Sequence, residues 1–229
     1  EYKLGFNPIE KMLSEYKIDI FHGTGNLVPN FKKTKSVLTI HHYYPLDSPL
    51  MPKNLSLKER FYFKCTDYSI LKADYIIAVS NFTKSELIKK WEHLEQKIST
   101  VYEGLPEKNY QSINDENIKK DIIKKYNLPD KFIFCPGPIN ERKNILRLLE
   151  AFSIIKNKNI QHKLVISGIS DNISDENNYF NIVMKRCIDL NLENEVMFFK
   201  LFQHQDMVYI YNLASMLVYP SLYEGFGFP

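Results

Sequence analysis

A chain of 229 residues, 44% apolar and 25% charged, has the composition of a soluble globular protein of one large or two ordinary domains. Its net charge of +3 is too slight to argue for a nucleic-acid partner, and no apolar run is long enough to cross a bilayer. The three cysteines, Cys65, Cys135 and Cys187, are far apart and lack Cys-x-x-Cys or Cys/His spacing, so they indicate neither a disulfide framework nor a zinc site and fit a reducing cytoplasm.

The first half alternates helix and strand. Pro8 to Lys17 predicts a helix, and Ile18 to His22 a short buried strand ending at Gly23-Thr-Gly25. Lys32-Lys33 with Lys35, and later Lys89-Lys90, read as solvated faces, with peripheral contact to anionic lipid as the alternative. Ser36 to Ile40 predicts a strand closing on His41 and His42, before a loop of prolines and aromatics (Tyr43, Tyr44, Pro45, Pro49, Pro52). A helix from Ser56 to Ala73 leads to strand Tyr75 to Val79. Ser80 is placed to cap the next helix, and Thr83 to Glu86 has capping-box spacing. Strand Ile98 to Tyr102 ends at Glu103 and Gly104.

From Leu105 to Asp130 the composition shifts to proline, Asn, Asp and Lys, with one short amphipathic helix around Asp115 to Tyr126. Residues 109–130 are read as a linker between a first domain, 1–108, and a second, 131–229. Alternation then restarts with strand Lys131 to Cys135, Pro136-Gly-Pro138, a helix from about Glu141 to Asn157, and strand Lys163 to Ser167 ending at Gly168. A helix from Tyr179 to Leu190, strand Val196 to Phe199, a short helix near Asp206 to Ala214 and a buried final strand within Leu213 to Tyr219 complete the set. Strands separated by helices imply βαβ units and parallel sheets, whose ligands bind outside the carboxyl ends of the strands.

Two places at such ends carry chemistry. Arg142 and Lys143 stand beside the strand-end Gly137 and at a helix start, where the helix dipole disfavours cations. That arrangement suits a diphosphate, the other reading being an ordinary basic helix start. The final strand breaks at Pro220-Ser221 into Gly225-Phe226-Gly227, where glycines let a backbone approach a ligand closely, with Glu224 at the mouth.

The run Tyr-Pro-Ser-x-Tyr-Glu-Gly-Phe-Gly-Phe-Pro, residues 219–229, resembles the start of the signature of retaining GT-B glycosyltransferases of the group 1 (GT4-like) family. The resemblance continues through Leu128 to Phe152, Leu164 to Gly168, Val196 to Phe199, Val37 to His41 and Ala73 to Leu87, in the family's order. It implies a GT-B α/β fold of two Rossmann-like parallel-sheet domains facing a cleft. Both are expected to be incomplete, in a chain truncated at both ends that stops before the motif's second glutamate. The implied activity is retaining hexosyl transfer from a nucleotide-sugar, GDP-mannose or a UDP-sugar, to a saccharide or glycolipid, with a non-catalytic GT-B-like binding protein or complex subunit as the alternative. Carried over by position, Glu224 contacts the transferred sugar and His41 sits beside the reacting centre. Gly137, Arg142, Lys143, Gly168, Phe202, Ser221, Gly225, Phe226 and Gly227 bind the donor. No Asp-x-Asp stands at a strand end, so no metal or other cofactor is expected. The implied setting is cytoplasmic, with peripheral contact at the inner membrane surface as an option. Pro138 stands where many members have Arg, and Lys200 where Gly is usual, which leaves the base preference open.

Overall fold

The structure is a computed structural model and describes residues 8–45, 55–104, 112–113, 115–169 and 179–227. The chain divides into two units, one holding the residues up to Gly104 together with Glu224–Gly227, the other the residues that follow, as far as Tyr223.

In the first unit, strands β1 (Ile20–Gly23), β2 (Lys35–Ile40), β3 (Tyr75–Ala78) and β4 (Ile98–Thr100) form a parallel sheet in sequence order. Ile40 pairs with Ala78 and Ala78 with Thr100, so the residues after β2, β3 and β4 emerge side by side at one edge. Alternation along the strands sends Leu38, Ile40, Ile76, Ala78 and Ile98 to one face. There they meet Ile70 and Ala73 at the end of α2 (Leu57–Lys72) and Leu87 of α3 (Asn81–Lys90). A shorter helix, α1 (Pro8–Glu15), precedes β1. Asp74 ties β2 to β3 by accepting from the Ser36 amide at 2.9 Å and the Lys35 ammonium at 2.8 Å. Ser80 caps α3 by accepting from the Thr83 amide, as its position predicts. The capping box lies elsewhere, at Ser56 and Glu59 of α2 rather than Thr83 and Glu86, because α3 already begins at Asn81.

In the second unit the parallel order is β7-β6-β5-β8, from β5 (Phe132–Cys135), β6 (Lys163–Ser167), β7 (Val196–Phe199) and β8 (Met216–Leu217). Helices cover both faces, which is why β5 is apolar at every position. Ile133 and Cys135 face α5 (Ile145–Lys156) and α6 (Tyr179–Asp189). Phe132 and Phe134 face α4 (Glu116–Tyr126) and α7 (Met207–Leu213). Ile122 and Leu128 belong to that second cluster, so the stretch read as a linker carries a helix built into this unit. The final strand differs from expectation. Leu213 ends α7, only Met216 and Leu217 pair, and Met216 is 56% exposed, because β8 is an edge strand with β5 as its one neighbour among the described residues.

Asp206 locks α4 to the start of α7. Its buried carboxylate accepts from the Lys125 ammonium at 2.7 Å and the Tyr126 hydroxyl at 2.6 Å. Burial opposes the charge, but Lys125 and Tyr126 outweigh it and hold the carboxyl below its ordinary value. A depressed carboxyl stabilises the fold above the unfolded pKa of about 4 and loses that contribution as pH falls through the lower folded value. Asp206→Asn is expected to reduce protection of the β5 and β6 amides by about 1–2 kcal/mol. It should also flatten their loss of protection in acid. Hydrogen exchange against pH reads both effects, and an unaltered acid dependence contradicts the role given to Asp206.

Candidate functional site

In the second unit, the segments that leave β5, β6 and β8 meet at the carboxyl edge of the sheet. Glu141–Lys143 forms a 3-10 turn, and Asn144 takes the left-handed conformation (φ 58°), so α5 begins at Ile145 rather than Glu141. This corner is fastened to the segment after β8 by hydrogen bonds. The Leu222 amide donates to the Arg142 carbonyl at 2.8 Å, and the Arg142 guanidinium to the Tyr223 carbonyl at 2.9 Å. The Asn144 side-chain amide donates to the Pro220 carbonyl at 3.1 Å. Lys143, only 3% exposed, adds a further tie: its ammonium bonds the Tyr219 hydroxyl and lies 3.8 Å from that ring's centre. Ser221 sits within this fastening with its hydroxyl oxygen buried and no hydrogen-bond partner among the described residues.

Gly168 is fixed by packing. Its φ is +98°, and a Cβ there would lie 2.7 Å from the Cα of Pro138 and 2.8 Å from that of Gly137. The exits of β5 and β6 therefore touch backbone to backbone. Cys135, just before them, has its thiol pushed up to about 12 by burial, with Lys143 pulling the other way. Such a thiol is inert at neutral pH. Phe202 is placed differently from the rest of the expected donor set. It is buried in the cluster facing α4 and α7, edge-on to Tyr126 at 4.8 Å and to Phe134 at 5.9 Å.

The first unit gathers the other expected residues. His41 follows β2, and its ring is held on both sides. Nδ1 is 2.5 Å from Glu103 Oε1, and Nε2 is 2.7 Å from the Thr24 carbonyl oxygen. The His41 amide donates to the side-chain oxygen of Asn26, a buried residue with φ +60°. Beside it sits the Glu224–Gly227 segment. The Gly225 carbonyl accepts from the Ser80 and Thr83 hydroxyls, and a Cβ on Gly225 would be driven into the His41 carbonyl oxygen. Phe226 lies 6.2 Å from the Tyr102 ring, and the Glu224 Cβ is 4.0 Å from where a Cβ on Gly227 would stand.

His41, Glu224, Gly225, Phe226 and Gly227 thus belong to one unit, and Gly137, Arg142, Lys143, Gly168 and Ser221 to the strand-end corner of the other. Glu103, Thr24, Asn26, Asn144 and Tyr219 hold these residues in place but were not among those expected from the sequence. Positions at the ends of strands were the one available signal for the first three. A cavity of about 450 Å³ lies at the opposite, amino end of β5 and β6, lined by Leu128, Pro129, Asp130, Lys131, Gln161 and Lys163.

Residues 4–108 match the family described as Glycosyltransferase Family 4, and residues 117–229 the family described as Glycosyl transferases group 1. O-antigen chain mannosyltransferase B of Escherichia coli is 26% identical over 221 residues, 95% of this chain and 55% of the relative. A solved glycosyltransferase from Rickettsia africae is 22% identical with a TM-score of 0.68, over 95% of this chain and 57% of that one. Anabaena HepE, solved with UDP and glucose, is 15% identical with a TM-score of 0.64, over 96% of this chain and 58% of that one. The chain spans a little over half the length of each.

If Gly168 is there for packing, Gly168→Ala weakens the second unit with no ligand present. The positive φ and the overlap together predict a loss of about 2 kcal/mol or more. Denaturant unfolding followed at β5 and β6 amides measures it, and an unchanged midpoint contradicts the packing account.

Proposed function

Because the chain belongs to the group 1, GT4-like glycosyltransferases and has their GT-B type α/β fold, we propose that it transfers a hexose, with retention, from a nucleotide-sugar to a saccharide or glycolipid acceptor. The supporting observation is the fastened corner of the second unit. It brings together Arg142, Lys143 and the Ser221 hydroxyl, which has no hydrogen-bond partner among the described residues, at the carboxyl ends of β5 and β8. A nucleoside diphosphate leaves with developing negative charge, and preorganised donors at that point lower the barrier. Arg142 is the proposed contact to the diphosphate. Lys143, buried against Tyr219, supplies positive potential from within the corner, where a low effective dielectric strengthens it. We propose that these groups and backbone amides, rather than a metal, meet the leaving-group charge.

Glu224 is proposed to hold the transferred sugar. Retention follows if the departing phosphate and the acceptor occupy one face of an oxocarbenium-like sugar, the phosphate then taking the acceptor proton. The relative that is an O-antigen chain mannosyltransferase favours a mannosyl donor and a polysaccharide acceptor, while the HepE complex with UDP and glucose keeps a uridine nucleotide in view. GDP-mannose and UDP-sugars are therefore the donors to try.

We also propose a cytoplasmic setting with peripheral contact to an anionic membrane surface. Among the described residues no helix is long and apolar enough to cross a membrane. The outward stripe of α2 carries Leu57 (87% exposed), Phe61 (69% exposed), Tyr68 and Leu71 at helical spacing. Lys58, Arg60, Lys64 and Lys72 lie exposed along it. Its acidic residues are engaged, Glu59 with Ser56 and Asp67 with Tyr43 and Lys90. Apolar side chains flanked by cations complement anionic headgroups.

Two measurements check these readings. In calorimetric titration with GDP and UDP, Arg142→Ala is expected to weaken binding at least about tenfold, the value of one charge-assisted contact. Glu224→Gln should keep nucleotide affinity and lower turnover by about 10²–10³. Nucleotide affinity indifferent to Arg142 would overturn the site, and binding without any turnover would favour a non-catalytic member. In sedimentation with vesicles, the chain should follow phosphatidylserine-containing but not neutral vesicles, and Phe61→Asp with Tyr68→Asp should abolish this. Equal partition onto both vesicle types contradicts the α2 assignment.

A further inference from the structure

We propose that Glu103 is the positioning residue of His41, holding a proton on the Nδ1 side of its ring so that neither ring nitrogen is left to act as a base. The proposal rests on the reading that puts His41 beside the reacting centre, but its evidence is independent of that reading.

The Thr24 carbonyl oxygen can only accept, so the Nε2 atom 2.7 Å from it carries a hydrogen. A neutral imidazole with hydrogen on Nε2 presents a lone pair at Nδ1. The atom facing that lone pair is Glu103 Oε1, at 2.5 Å. Two lone pairs at that separation repel, whereas one proton between them makes a short charge-assisted bond. The ring and the carboxylate therefore share a proton in addition to the one given to Thr24.

The pair is built into the fold. His41 and Glu103 leave β2 and β4, two strands apart, and register brings their exits to one edge. Asn26 holds the His41 amide, and both partners are partly withdrawn from solvent, with side-chain exposures of 43% for His41 and 22% for Glu103. With both nitrogens committed, the ring serves as a fixed dipolar pair with Glu103 and as an anchor for the strand-end backbone. That backbone's carbonyl is the one packed against Gly225. A site of this kind leaves removal of the acceptor proton to another group, which agrees with the departing phosphate taking it.

The test is long-range ¹H–¹⁵N NMR of the histidine rings in the full chain, with His41 assigned by the signals lost in His41→Ala. In the unsubstituted chain both His41 nitrogens are expected to resonate as protonated. In Glu103→Gln the amide can donate to Nδ1, so Nδ1 should move to the range of a bare nitrogen while Nε2 stays protonated on Thr24. A bare Nδ1 in the unsubstituted chain overturns the proposal, and this holds whether or not the variant folds. A His41 spectrum that ignores the substitution overturns it as well. Turnover is read separately: Glu103→Gln should lower kcat and leave the donor KM unchanged. Lack of any transfer by the unsubstituted chain would count against the enzymatic reading and leave the NMR result standing.

Discussion

Parallel strands end together, and the backbone groups released at their ends need partners. In the second unit this constraint is met by fastening one strand exit to another. The segment after β8 has little sheet to hold it, since among the described residues β8 pairs over two residues and only with β5. Its placement depends on the hydrogen bonds to Arg142 and Asn144, and on Lys143 beneath Tyr219. The left-handed Asn144 makes this possible, because it turns the chain between the short 3-10 turn and α5 so that backbone and side chains face the incoming segment. Cations that look misplaced at a helix start are thus structural members of a corner, and the same placement sets positive charge at a strand edge.

The first unit solves the same problem differently. Its edge is organised around His41, whose amide and ring are hydrogen-bonded and whose carbonyl packs against Gly225. Gly225 is glycine because the His41 carbonyl leaves no room for a Cβ, and its own carbonyl is taken by the hydroxyls at the start of α3. Gly225 of the Glu-Gly-Phe-Gly run therefore has a packing reason in this structure, beside the ligand-approach reason that the motif implies. Both follow from the same property, the lack of a side chain where two backbones must meet.

Much of this architecture is legible in the sequence because parallel strands buried on both faces read as short apolar runs between glycines and prolines. β5 and β6 are of that kind, and their ends at Cys135 and Ser167 lie where the patterning puts them. The apolar run Leu213 to Tyr219 has the same look but is shared between the end of α7 and an edge strand, since periodicity cannot assign so short a run. The start of α5 was hidden by a backbone choice at Asn144 that no pattern of apolar residues reports. For Glu103 and Thr24 the sequence showed strand-end positions but not their partner. Glu103 stands 62 residues from His41, and only the register of β2, β3 and β4 makes the two neighbours. Phe202 shows the converse: the family resemblance set it among the donor contacts, while packing places it in the core.

The carboxyl edge of the second unit's sheet is proposed to receive the diphosphate of a nucleotide-sugar. Chemical-shift mapping on the ¹⁵N-labelled chain, titrated with GDP-mannose and then UDP-glucose, tests it most directly. One of the two is expected to perturb the amides of Gly137, Arg142 to Asn144, Gly168 and Ser221 to Tyr223 together. Perturbations confined to the cavity at the other end of the sheet, around Lys131, Gln161 and Lys163, would contradict it.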